Sequence, residues 1–422
     1  MKVTRNSTVL IVLLIVMILI CSTAEAQKVA FATSVKGHGD LSEWPDALMV
    51  GATGVEAGDA ICQARALAVG LDNPQDFVAW LSDSNDDAYC RIHGLTGTKA
   101  DNCGQIIFPA DAGPWVRMDG FPFAAEITQM LAPNGRIFTP VLLDEFGQQG
   151  TQIYYWTCTS ETGVLTTSFP SACSDWSASA SSDSAYAGRT TRTTRGWTRS
   201  DGNACSAFLR LLCLEGGGAG PALPVFTTDD RVAFLTSVMG HGDLSSWPDA
   251  GGATGIAAGD AICRARATAA SLDDPSSFKA WLSNSSTDAK DRFLNDGRWV
   301  RLDGVKIADN LADLTDGQLF TSINVMETGV YTNGFDNVWT ATGQDGTLIG
   351  GACNNWTDGS DSAQGRVGYS IDTAHGWTAW LDRDCDRPGR LYCFSDVVSN
   401  WIFGDNFEDG DTESWSLVQG GP

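Results

Sequence analysis

Two copies of one nine-residue stretch constrain this chain more than any other feature. Gly58-Asp59-Ala60-Ile61-Cys62-Gln63-Ala64-Arg65-Ala66 recurs as Gly259-Asp260-Ala261-Ile262-Cys263-Arg264-Ala265-Arg266-Ala267. Each copy reads as an amphipathic helix with one cysteine on its inner face. Ala57-Gly58-Asp59 and Ala258-Gly259-Asp260 open the helices on this reading, with the aspartate placed to favour the N-terminal end.

Everything around the two stretches recurs in order. Val29 to Ser34 and Val232 to Ser237 read as strands, followed by Gly37-His38-Gly39-Asp40-Leu41 and Gly240-His241-Gly242-Asp243-Leu244. Trp44 matches Trp247. The apolar runs Phe77 to Ser82 and Phe278 to Ser283 suggest strands, although periodicity alone does not separate a short strand from a helical turn. An insertion with Cys90 and Cys103 occurs only in the first copy. The copies rejoin at Trp115-Val116-Arg117-Met118-Asp119-Gly120 and Trp299-Val300-Arg301-Leu302-Asp303-Gly304. Trp156, Cys173, Trp176, Trp197, Cys205 and Cys213 then match Trp339, Cys353, Trp356, Trp377, Cys385 and Cys393. Each repeat is long enough to bury its own core. The expected organisation is a signal peptide over 1–26, a first domain over 27–215, a linker over 216–230, a second domain over 231–394 and an acidic tail over 395–422. The Gly216 to Pro221 run reads as flexible, which leaves the two domains able to move relative to each other.

Lys2 and Arg5, an apolar run from Val9 to Ile20 and the small residues Ala24-Glu25-Ala26 describe a secretory signal. Cys21 raises a lipoprotein alternative, but Ile20 stands where such a site wants a small residue. The formal charge of -24 argues against nucleic acid or anionic lipid as the main partner. No later segment is apolar and long enough to span a bilayer. Of 12 cysteines, all but Cys21 lie after the signal, where an exported protein forms disulfides. That leaves an odd number.

The cysteine and tryptophan landmarks carry a resemblance. Cys62 to Leu71 followed by Phe77 to Ser82, and Cys205 with Leu209 to Cys213, are similar to endostatin, the C-terminal domain of certain collagens. Both repeats resemble more closely a bacterial exported domain of unknown function related to endostatin, within the C-type-lectin-like fold. The resemblance implies an α+β fold in tandem, with nested disulfides in each copy. Carried over, these are Cys62–Cys213 with Cys173–Cys205, and Cys263–Cys393 with Cys353–Cys385. Cys90 and Cys103 share one insertion and are expected to pair. Cys158 is then the odd cysteine, either buried and inert or available for a bond between chains. Repeat two has Ala341 there.

Several clusters compete as binding sites. C-type lectins hold calcium and sugar with a Trp-Asn-Asp segment before the inner cysteine. Trp380-Leu381-Asp382-Arg383-Asp384-Cys385 has that spacing, but Leu381 offers no oxygen to a hard cation. Asp358 and Asp361 form an acidic loop that is a candidate for structural Ca2+. The tail segment Asp405 to Gly410 resembles half of a calcium loop, with Phe407 where a ligand belongs. His38 and His241 sit in matching loops without a second histidine at ligand spacing. Arg189, Arg192, Arg195 and Arg199 surround Trp197 and suit sulfate, phosphate or carboxylate. The tryptophans matched between repeats read as core, whereas unmatched Trp380 is the better candidate for exposure.

No hydrolase, metalloprotease, P-loop or dinucleotide motif is present. The expected function is secreted, non-catalytic recognition of a polysaccharide or cell-surface protein, in the extracellular space, at the cell surface or in the periplasm. Tandem copies would raise avidity. A matrix-type assembly protein is the alternative. A hydrolase with a carboxylate site outside known motifs is the weaker one.

Overall fold

Each repeat is built around one long helix that packs on a short strand through a glycine. In the computed structural model, which describes residues 28–107, 109, 112–131, 136–168, 171–217, 230–293, 297–332 and 334–397, helix α1 runs over Gly54–Ala68. It buries Val55, Ala57, Ile61, Cys62 and Ala66 on one face. A Cβ at Gly58 would lie 2.7 Å from Leu81 Cδ1, so only glycine allows this approach. Helix α2, Gly255–Ala269, repeats the arrangement, with Gly259 against Leu282.

The helix start differs from the sequence expectation. Because α1 begins at Gly54, Asp59 lies inside the helix and not at its N-terminus. Its carboxylate accepts from the Ala79 amide at 2.8 Å and from the Arg91 guanidinium. Burial raises its pKa against the opposing charge of Arg91. Asp260 repeats these contacts with Ala280 and Arg292. The recurrent aspartate therefore fastens the helix to the strand.

The chain is mixed helix and sheet. In the first half, the strands are β1 (Lys28–Ala32), β2 (Phe77–Ala79), β3 (Trp115–Arg117), β4 (Pro122–Ala124), β5 (Tyr154–Trp156), β6 (Ser184–Arg189), β7 (Asp201–Ala204) and β8 (Arg210–Glu215). They form one sheet in the order β4-β3-β1-β8-β5-β6-β7, with β2 also paired to β8. In the second half, β9 (Arg231–Leu235), β10 (Lys279–Ala280), β11 (Trp299–Val300), β12 (Lys306–Ala308) and β16 (Tyr392–Phe394) form a sheet in the order β10-β16-β9-β11-β12. A second sheet holds β13 (Asn337–Trp339), β14 (Gln364–Tyr369) and β15 (Leu381–Asp384). A single Val338–Arg390 bridge links the two sheets, where the first half has the continuous β5–β8 ladder.

Each half has cores on both faces of its sheet. The matched tryptophans sit in them, from Trp44 and Trp247 at 4% and 5% exposure to Trp197 and Trp377 at 0%. Five disulfides form: Cys62–Cys213, Cys173–Cys205, Cys90–Cys103, Cys263–Cys393 and Cys353–Cys385. Cys62–Cys213 and Cys263–Cys393 tie the helix of each half to its last strand. Cys158 is buried, with its sulfur 3.6 Å from the Thr166 hydroxyl. No helix among the described residues is long and apolar enough to cross a membrane. The signal segment, residues 218–229 of the linker and the tail from 398 lie outside the described residues, as does the calcium-like stretch Asp405 to Gly410.

The halves do not hang apart on a tether. Thr193 donates its amide to the Ile371 carbonyl at 3.1 Å, and Thr373 donates to the Thr191 carbonyl at 2.8 Å. These two bonds flank an antiparallel bridge between Arg192 and Asp372. Counted back from the matched Trp197 and Trp377, Thr191 is equivalent to Ile371, Arg192 to Asp372 and Thr193 to Thr373. Equivalent backbone therefore pairs with equivalent backbone, as at a two-fold dimer interface. Phe121 against Phe320, with ring centroids 5.0 Å apart, is mirrored by Val305 in the small buried cluster with Phe138. The expectation of mobile domains is thus corrected, because reciprocal hydrogen bonds and apolar contacts hold the repeats together.

Candidate functional site

The arginine run and Trp380, far apart in sequence, meet at this junction. Strand β6 ends at Arg189, and the bend after it carries Arg192 and Arg195 toward the second half. From that half, Phe335, Tyr369 and Trp380 form a stack. Phe335 and Tyr369 lie 5.2 Å apart at 10°, and Tyr369 and Trp380 lie 5.6 Å apart at 16°. The guanidinium of Arg195 sits 3.9 Å from the Phe335 centroid, Arg192 sits 5.1 Å from Tyr369, and Arg189 sits 5.8 Å from Trp380. Each cation faces an aromatic ring, a contact that strengthens as water is excluded.

This placement corrects part of the expected anion site. Arg189 and Arg192 are 7% and 4% exposed and are consumed by the junction. Trp197 is core, with its ring 5.4 Å from Trp80. Arg199 turns away to pair with Glu161 at 2.8 Å. Trp380 is half-buried in the stack and not an open sugar platform. Asp382 is exposed and pairs with Arg366 at 3.1 Å. Of the run, Arg195 alone keeps a partly open guanidinium with no ion pair among the described residues.

Arg195 opens onto a cleft of about 310 Å³ between the halves, whose other described lining groups come from the second repeat. Tyr331, Thr332, Phe335, Asp336 and Arg390 supply its polar and aromatic walls. The volume is at the small end of the range for ligand sites, about 300–1,000 Å³. Phe335 presents 37% of its surface. Asp336 is engaged, accepting from the Thr332 hydroxyl and pairing with Arg390 at 3.2 Å. Arg390 also donates to the Thr236 and Ser237 carbonyls at 2.8 and 2.6 Å. The Tyr331 hydroxyl donates to Asp303, and burial raises its pKa.

The expected calcium loop does not assemble. The Asp358 carboxylate accepts the Ser360 amide at 2.9 Å, and its hydrogen bonds to Ser360 lower its pKa. Asp361 is exposed. Among the described residues no three His, Cys, Asp or Glu side chains converge as a metal centre would require. His38 pairs with Glu43 at 3.1 Å and packs edge-on against Phe208. His241 is exposed.

The sequence reading did not single out Phe335, Asp336, Tyr369 or Arg390. A signal was present. Phe335, Tyr369 and Trp380 are aromatic where the first repeat has Gln152, Arg189 and Ser200 at the same distances from matched tryptophans. An aromatic residue that only one repeat carries is free of the shared core's demands. Comparison with known proteins returned no matching family model and no matching curated protein.

Proposed function

We propose that this chain is an extracellular, non-catalytic recognition protein. On this reading its two lectin-like, endostatin-related repeats act as one body and bind carbohydrate or a surface protein at the cleft between them. The observation that carries the reading is the cleft itself, where a partly exposed Phe335 ring and the partly open Arg195 guanidinium meet at a junction of the two repeats. Aromatic and hydrogen-bonding groups that converge in a concave site are what a saccharide or side chain needs for orientation. Glycoside hydrolysis at the cleft would call for a pair of working carboxylates. Its wall offers Asp336, already held by Thr332 and Arg390. Five disulfides suit an oxidising compartment.

The test is a glycan and polysaccharide binding screen run with calcium and again with chelator, on the protein and on Phe335→Ala. Calcium-independent binding that falls with Phe335→Ala supports the reading. Binding that survives Phe335→Ala or vanishes with chelator moves the site elsewhere.

The assembly reading has one observation of its own. Leu48, Met49 and Val50 are 67%, 84% and 70% exposed at a loop that the second repeat replaces with glycines. Such a surface favours contact with another macromolecule.

A further inference from the structure

Resting on the recognition reading above, we infer that the cleft takes a carboxylate-bearing sugar, a uronate, seated on Arg195, and that each chain binds one such ligand and not two. The first part follows from charge. Among the described lining residues two cations, Arg195 and Arg390, face one carboxylate, Asp336, and that carboxylate is already paired with Arg390. Arg195 is left as an unmatched positive charge at the mouth of a cleft, in a protein of net charge -24. The contact with the Phe335 ring, 3.9 Å from guanidinium carbon to centroid, uses none of the N–H donors as hydrogen bonds. The in-plane N–H donors remain, in the fork geometry that matches a carboxylate bidentately. Half-burial reduces competition from water, so the contact gains strength over one at an open surface. The remaining wall suits the rest of a sugar, because Phe335 presents an apolar edge, 37% exposed, beside the guanidinium.

The second part follows from the broken symmetry. The pseudo-two-fold arrangement generates an equivalent position on the opposite side of the junction. Bridges Leu143–Gln149 and Val325–Tyr331 fix the correspondence of Gln149 with Tyr331. There His375 replaces Arg195, Gln149 replaces Tyr331 and Gln152 replaces Phe335. The backbone frame is kept while the permanent cation and both rings are lost. Tandem repeats here create one asymmetric site at their junction, not two copies for avidity.

Titration calorimetry with short oligomers of galacturonate, glucuronate and mannuronate, each beside its methyl ester, tests this directly. The ester removes the charge and keeps the backbone. The expected result is one site per chain on at least one acid oligomer, with the ester about tenfold weaker or worse. Arg195→Gln should lose the same factor and no longer tell acid from ester, while Arg195→Lys recovers part of it. Unchanged thermal melting of both variants excludes misfolding as the cause. Equal binding of acid and ester, undiminished binding by Arg195→Gln, or two sites per chain would overturn the inference and leave the recognition reading in place. No binding of any oligomer, charged or esterified, by a protein that also fails the broader screen would overturn the recognition reading itself.

Discussion

Arg192 and Asp372 occupy the same position in the two repeats and face each other across the pseudo-two-fold axis. Their backbones form an antiparallel bridge, and their side chains form an ion pair with Nε 3.7 Å from Oδ2. Both are buried, at 4% and 1% exposure. A strictly symmetric repeat would place like charges here. Divergence to opposite signs at one matched position makes the junction complementary and fixes which face of each repeat meets the other.

Removal of one partner should therefore cost much more than loss of a surface ion pair. Arg192→Ala strands the Asp372 carboxylate in a buried site, and a loss of about 3–5 kcal/mol is expected. The double variant Arg192→Ala with Asp372→Ala should recover part of it, and denaturant unfolding of the four proteins measures the coupling. A single-variant loss below about 1 kcal/mol, the size expected of an exposed pair, would mean that the pair is not buried in solution.

The disulfides should rank by the loops they close. Cys62–Cys213 spans 151 residues of sequence, and Cys90–Cys103 spans 13. Chain entropy assigns the first about 5 kcal/mol and the second about 3 kcal/mol. Replacing each pair by alanines and comparing unfolding midpoints checks the order. Equal losses would show that packing and not loop closure dominates.

Cys158 should resist modification. Burial pushes its thiol pKa up, and thiols react as thiolates. Iodoacetamide should label it in the denatured, unreduced protein and leave it untouched in the folded one. Rapid labelling of the folded protein, or a dimer that dissociates on reduction, would contradict the buried environment.

Asp119 should contribute to acid sensitivity. Burial alone would raise its pKa, but the Arg117 hydrogen bond and charge outweigh that and lower it from the ordinary 3.8. Its stabilisation is thus present above the ordinary value and is lost as pH falls through the lowered one. Asp119→Asn should be less stable than the parent near neutral pH, with the gap closing as pH drops below 3.8. Melting temperatures across that range test the slope. A gap independent of pH would assign the loss to packing.

Much of each repeat was legible because local and covalent demands leave marks that recur. The nested disulfides followed from the resemblance that the cysteine and tryptophan landmarks carry, and the matched tryptophans marked the core. The same logic should have removed Trp197 from the binding candidates, since it matches Trp377 and both are buried. Asp59 was misread because its partners, Ala79 and Arg91, come from segments well beyond the helix. The junction was the least legible part. A glycine-rich linker suggests freedom, but docking is decided by surfaces such as Thr191 to Thr193 and Ile371 to Thr373, whose pairing has no local periodicity. The cleft inherits that difficulty, because Arg195 and Phe335 become neighbours only after docking.

Hydrogen exchange at the Thr193 and Thr373 amides tests the docked arrangement most directly. Both donate across the junction, to Ile371 and Thr191. If the two repeats form one body, these amides exchange as slowly as those of the flanking core strands β6 and β14. Exchange at the rate of an exposed loop, with β6 and β14 still protected, would show that the repeats separate in solution and that the cleft between them is not a standing site.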